Sequence, residues 1–250
     1  MSAFSIKNQW LVYHQPNPQA KQRLFCLPYA GANSNIFRSW PAALPTVEIC
    51  SVELPGHGGR SAEVPFSQFA PLIKVLVQHL RPHLDKPFAF FGHSLGALLS
   101  FELTRILTNE HEPFHLFVSG CRAPQLPLRS GRTTYDLPEA EFIEELRSLS
   151  GTPKIILDDV NLMRLLLPML RADLALDQTY TYIPGRPLAC PISVFAGVDD
   201  SEVTRGEIEA WQEQTSASFS LRFFPGDHFF IHTSQGTLMQ ELSKKLLVAR

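Results

Sequence analysis

The sequence has no run approaching the roughly eighteen consecutive apolar residues of a membrane-spanning helix. Its first residues, Met1-Ser2-Ala3-Phe4-Ser5-Ile6-Lys7-Asn8, lack the apolar core of a secretory signal. These absences predict a cytoplasmic chain with no membrane partner. Net charge is equally sparse: 22 Lys and Arg against 24 Asp and Glu leave −2 at pH 7, too little to attract nucleic acid or an anionic surface. Cysteine is scarce too. Cys26, Cys50, Cys121 and Cys190 lie far apart in apolar, strand-like surroundings, the pattern of reduced core thiols and not of a disulfide framework. No metal-ligand spacing links them.

What is present is a chain of 250 residues, 44% hydrophobic and 18% charged, enough to bury one sizeable core and to carry an insertion within a single domain, residues 1–250. The stretch Phe88-Ala89-Phe90-Phe91-Gly92-His93-Ser94-Leu95-Gly96-Ala97-Leu98-Leu99 reads as apolar strand, tight turn and helix with one hydroxyl at the apex. Glycines two residues either side of a serine leave room for strand and helix to pass close together, as a nucleophile elbow requires. With 14 Gly in the chain, that spacing arises by chance only about 0.06 times per chain of this length. A helix starting near Leu95 also aims backbone N–H groups and a positive dipole end at any oxyanion formed beside Ser94.

In chain order, Trp10 to Tyr13 suggests a short edge strand, and Arg23 to Pro28 an apolar strand that empties into Tyr29-Ala30-Gly31-Ala32. In a serine hydrolase of this order that loop supplies a second oxyanion donor, the Ala30 N–H, beside the Leu95 N–H. Phe37 and Trp40 read as core aromatics on a following helix. The stretch Val47 to Val52 alternates and closes in Leu54-Pro55-Gly56-His57-Gly58-Gly59-Arg60, a sharp loop. There His57 and Arg60 could touch substrate, although solvated turn residues are the simpler reading; a glycine-rich loop would hold a catalytic His57 poorly. Apolar residues at Phe69, Leu72, Ile73, Leu76, Val77 and Leu80 predict an amphipathic helix over 67–84, with His79 and His83 on its polar side. Phe114 to Gly120 is a further strand. Alternating strands and helices point to a mostly parallel central sheet flanked by helices.

From about residue 127 to 187 the pattern is helical without strands, which suggests a lid inserted between two strands. Pro138 to Leu149 is acidic and amphipathic, and Asn161 to Leu176 is strongly apolar with Pro168 inside. Some of Leu165, Leu166, Leu167, Met169 and Leu170 are expected either to line an acyl pocket or to pack the lid. Arg171 and Asp173 read as a local charge pair. The parallel pattern resumes at Pro191 to Gly197 and runs into Val198-Asp199-Asp200-Ser201-Glu202-Val203. A carboxylate just past a late strand is where the acid of an α/β-hydrolase belongs, and Asp199 and Asp200 both qualify. The last strand, Phe219 to Phe224, leads to Asp227-His228-Phe229, so the order is Ser, Asp, His with His228 as general base. His228 and His232 are four apart, but no third ligand accompanies them and no zinc site is expected.

These stretches together resemble the type II thioesterases, stand-alone editing hydrolases that accompany nonribosomal peptide and polyketide synthases. The resemblance rests on Leu27-Pro28-Tyr29-Ala30-Gly31, on Leu54 to Arg60, on the elbow, and on Ser119-Gly120-Cys121-Arg122-Ala123-Pro124. It continues through Leu149-Ser150-Gly151-Thr152-Pro153, Leu170-Arg171-Ala172-Asp173 and Gly226-Asp227-His228-Phe229. It implies an α/β-hydrolase fold with a helical lid. The family's Gly-x-x-Asp-x-x-Val pattern falls on Gly197, Asp200 and Val203, which implies that Asp200 is the acid of the triad. The chain departs from the family at Ala32, usually glycine, and at His57, where Pro-Gly-Arg is frequent.

The resemblance further implies a substrate carried as a phosphopantetheine thioester on an acyl or peptidyl carrier protein. No metal or bound cofactor is expected. Basic residues near the mouth, Arg122, Arg129 or Arg132, could dock an acidic carrier, and a monomer is expected. A chain-releasing acyl-carrier-protein thioesterase, a small-molecule carboxylesterase and a non-catalytic hydrolase-fold binding protein are the alternatives.

Overall fold

The computed structural model describes residues 9–128, 133–149 and 151–248. Strand β1 (Leu11–Val12) lies at one edge, antiparallel to its neighbour, as the short apolar run around Trp10 predicts. Strand β2 (Arg23–Leu27) is followed by a single 3-10 turn, Ser34–Phe37, and by α1 (Trp40–Ala43); Phe37 and Trp40 are both buried. Next come β3 (Glu48–Val52) and α2 (Phe69–Leu80). The α2 helix buries the expected stripe of Leu72, Ile73, Leu76, Val77 and Leu80 and ends where Pro82, which has no N–H to donate, tightens the chain into a 3-10 turn. His79 and His83 are half-buried instead of lying on the surface: His79 stacks on Trp10, and His83 Nδ1 lies 3.0 Å from the Tyr13 hydroxyl.

Strand β4 (Phe88–His93) leads directly into α3 (Leu95–Leu107), and β5 (His115–Ser119) follows. Between β5 and β6 (Ile192–Gly197) the chain runs through α4 (Glu139–Ser148), α5 (Lys154–Leu157) and α6 (Val160–Gln178). The Asp159 carboxylate caps α6 by accepting from the Asn161 and Leu162 amides. Phe142, Leu146, Leu157, Met163, Leu167, Met169 and Leu170 give this segment an apolar cluster of its own. The chain finishes with α7 (Arg205–Glu209), opened by a Thr204/Glu207 capping box, then β7 (Phe219–Phe224), α8 (Phe230–Thr233) and α9 (Gln235–Val248).

The sheet order is β1-β3-β2-β4-β5-β6-β7, parallel throughout except for β1. Parallel strands covered on both faces read as continuous apolar runs, and every residue of β2, β4 and β5 is buried. Alternate residues serve opposite faces. Phe25, Leu27 and Phe90 pack with α2 and α3, while Leu24, Cys26 and Phe91 pack with Phe37, Trp40 and the buried side of α9. This is the α/β-hydrolase arrangement expected, and all four cysteines are buried free thiols. Among the described residues no helix is long and apolar enough to cross a membrane. The sheet therefore presents the C-terminal ends of β2, β4, β6 and β7 on one side, where a parallel α/β sheet places its ligands.

Candidate active site

Ser94 bridges β4 and α3 with φ 52° and ψ −119°, and among the described residues it is the one non-glycine with positive φ. Such a conformation persists only when its surroundings over-determine it. Here the Ser94 amide donates to the Ser119 carbonyl at 2.8 Å, and the Ser94 carbonyl accepts from the Ala97 amide at 2.8 Å. The flanking glycines are dictated by contact. A Cβ at Gly92 would lie 2.0 Å from the Gly96 carbonyl oxygen, and one at Gly96 would lie 2.2 Å from that of Leu27. The backbone can therefore turn sharply only with glycine at both positions.

His228 stands on the loop after β7 and Asp200 on the loop after β6. Their side chains meet, with His228 Nδ1 2.9 Å from Asp200 Oδ2 and the Asp200 carboxylate 1% exposed. The other Asp200 oxygen accepts from the Glu202 amide at 2.8 Å. Asp199 is exposed, and its amide bonds the Gly226 carbonyl; the structure thus pairs Asp200, not its neighbour, with the imidazole. Burial works against a charged His228, yet the hydrogen bond it donates to Asp200 and the charges of Glu202, Asp200 and Asp227 outweigh it and raise its pKa above the ordinary imidazole value. Glu202, which no sequence motif announced, lies with Oε2 3.5 Å from His228 Nε2. Burial foremost raises the Glu202 pKa. His93, next to the serine, is pushed the other way, well below the ordinary value, by burial first and then by the charges of His228 and His232.

Ser94, Leu95, Ala30 and His228 all line one cavity of about 540 Å³, together with Tyr29, Leu146, Leu149, Leu170 and Leu174. The helical segment between β5 and β6 therefore furnishes much of the apolar wall. Of the leucine-rich run of α6, Leu170 faces this cavity, Leu167 and Met169 join the segment's own cluster, and Leu165 is 76% exposed. Arg122 also lines the cavity, but its side chain is mostly buried and pairs with Asp177 at 3.2 Å. It is not an exposed docking residue, as the sequence suggested; Arg129 and Arg132 lie outside the described residues.

Two further expectations are corrected. His57 is not a solvated turn residue: it is 3% exposed and bonds both the Pro55 carbonyl and Asp173. Arg171 and Asp173 do not pair, because residues two apart on a helix point in different directions. Arg171 reaches the Tyr135 carbonyl at 2.6 Å and lies over the Phe142 ring, while Asp173 turns to the loop after β2. His232 hydrogen-bonds the Tyr29 hydroxyl at 2.9 Å.

Residues 22–246 match the model of the thioesterase domain. The chain belongs to the thioesterase family. It is accordingly a hydrolase acting on thioesters. This thioesterase is 43% identical over 249 residues to the gramicidin S biosynthesis protein GrsT of Aneurinibacillus migulanus, a match covering 98% of this chain and 97% of the relative. Among solved structures it resembles the type II thioesterase BorB of the borrelidin biosynthetic cluster, with TM-score 0.85 and 36% identity over 94% of this chain and 97% of that one. It also resembles the RedJ thioesterase of the prodiginine biosynthetic pathway in Streptomyces coelicolor, with TM-score 0.84 and 36% identity over 92% of this chain and 87% of that one.

Proposed function

We propose that this thioesterase edits an assembly-line synthase of nonribosomal peptides or polyketides, hydrolysing stalled or aberrant acyl groups from the phosphopantetheine thioester of carrier proteins. The observation that carries the proposal is the His228–Asp200 pair, with His228 lining the same cavity as a strained Ser94 and as Ala30 and Leu95. Similarity to the biosynthetic thioesterases over nearly the whole chain supports the substrate class.

In the proposed reaction Ser94 Oγ attacks the thioester carbonyl carbon while His228 Nε2 takes the hydroxyl proton. Asp200 holds the Nδ1–H tautomer and stabilises the imidazolium. The Leu95 and Ala30 amides receive the oxyanion. As the tetrahedral intermediate collapses, the carbon–sulfur bond breaks and His228 gives its proton to the departing thiolate. Water then attacks the acyl-serine ester with His228 as base, and a second collapse frees the acid and restores the serine. All of these groups belong to the chain itself. In this reading α4, α5 and α6 form a lid within a single domain, and their leucines receive the acyl chain. The test is turnover of acyl groups on carrier proteins against small carboxylic esters. Faster release from the carriers supports the proposal; reaction of the simple esters alone would dismiss it.

A further inference from the structure

Three groups from distant parts of the chain meet behind the oxyanion loop. Asp173 Oδ2, from the middle of α6, accepts from the Gly31 amide at 2.7 Å and lies 2.8 Å from His57 Nε2. The other ring nitrogen, His57 Nδ1, lies 3.0 Å from the Pro55 carbonyl oxygen. A carbonyl and a carboxylate can only accept hydrogen bonds, so both ring nitrogens must donate. That geometry describes an imidazolium. Asp173 is 2% exposed and His57 3%, so the charged pair is shielded from solvent and the bonds are worth more than at the surface.

The loop they hold is narrowly determined. Gly31 has φ +82°, and a Cβ there would lie 2.8 Å from Leu170 Cδ2, so α6 packs directly on it. The residue before it, Ala30, lines the cavity. On its other side Tyr29 is tied to His232 on α8. The Tyr29 carbonyl, which shares a peptide plane with the Ala30 N–H, accepts from the Ala32 amide at 3.0 Å, so with the Gly31 amide also held the Ala30 N–H has little freedom.

We infer that Asp173 is a positioning residue for the oxyanion loop, clamping the Gly31 amide so that the Ala30 N–H faces the cavity, and that the His57 imidazolium holds Asp173 in place. The inference rests on reading Ala30 as an oxyanion donor. The charged groups that bear on His57 are Asp173 on α6 and Glu53 at the end of β3; burial opposes its charge, but the Asp173 bond and both carboxylates raise its pKa. Arg60 of the same loop is engaged with Glu63 and the Glu53 carbonyl, and Arg171 of α6 with the Tyr135 carbonyl. As pH climbs through the folded pKa of His57, one of its two donated bonds is lost and the clamp loosens.

The test uses the purified full chain with an acyl thioester substrate and a trifluoromethyl ketone, whose adduct with the serine carries the oxyanion. Asp173→Asn should lower kcat roughly 10- to 100-fold with KM little changed, since misplacing one donor by about an ångström costs that much. Ketone affinity should fall by a matching factor. His57→Gln should show the same losses. His57→Arg, permanently charged, should restore most of kcat and remove the alkaline decline of the wild type. Folded Asp173→Asn and His57→Gln variants with undiminished kcat would overturn the inference, as would a loss of kcat with ketone affinity intact. Should Asp173→Asn fail to fold, the two His57 variants decide. Hydrolysis that survives Ser94→Ala would instead overturn the serine mechanism, a separate result.

Discussion

A serine hydroxyl is a weak nucleophile until a neutral imidazole stands ready to take its proton, so in the proposed mechanism the titration of His228 sets the pH range of the reaction. Its folded pKa is raised, which means that protonation persists above the ordinary value of about 6.5. Activity should therefore rise with pH along a limb centred above that value. Glu202 contributes to the shift from 3.5 Å away. Replacing it by neutral Gln should move the acidic limb of kcat/KM to lower pH, as measured with a soluble acyl thioester; a limb that stays or moves upward would contradict the assigned charge coupling. The same scale governs the elbow. Gly96→Ala places a Cβ 2.2 Å from one carbonyl oxygen and 2.6 Å from another. Because both atoms are backbone, the overlap is relieved only by moving β2 or α3. A destabilisation of about 1–3 kcal/mol or more is expected in urea unfolding, with loss of hydrolysis at temperatures where the variant stays folded.

At the scale of the element, α6 has three tasks that its sequence distributes around its circumference. Met163, Leu167 and Met169 bind it to α4 and α5, Asp173 reaches the loop after β2, and Leu170 and Leu174 face the cavity. Lengthening a cavity-facing residue should alter the choice of substrate without touching the chemistry. Leu174→Trp is expected to cut kcat/KM for long acyl chains by an order of magnitude or so, about the discrimination available from a few methylenes, while sparing acetyl. Rates for a series of chain lengths check this, and a uniform loss across the series would remove the leucine wall from the specificity argument. Pattern alone could identify α6 as apolar and helical. It could not assign these tasks, since Asp173 finds its partners 142 and 116 residues away in sequence.

For the molecule as a whole, legibility followed the range of the interactions. Strands buried on both faces announce themselves as unbroken apolar runs, as Phe88 to Phe91 does. The elbow was equally plain because its glycines and serine act within five residues of one another. The acid needed more: Asp199 and Asp200 are equivalent to any rule about strand ends, the family resemblance alone points to Asp200, and the fold shows that this carboxylate meets His228. Glu202, half-buried beside that imidazole, and the His57–Asp173 contact carried no local signal, because each depends on loops brought together by the sheet. His57 in particular looked solvated for want of any neighbour in sequence to bury it, and α6 supplies the cover.

The whole proposed site converges on the Ser94 hydroxyl. Its most direct test is to load carrier proteins with acetyl, aminoacyl and longer acyl groups on their phosphopantetheine arms and to follow release by intact-protein mass spectrometry with wild type and Ser94→Ala. Release by the wild type, and none beyond the spontaneous rate with Ser94→Ala, is the result the mechanism requires; equal release by both would contradict it.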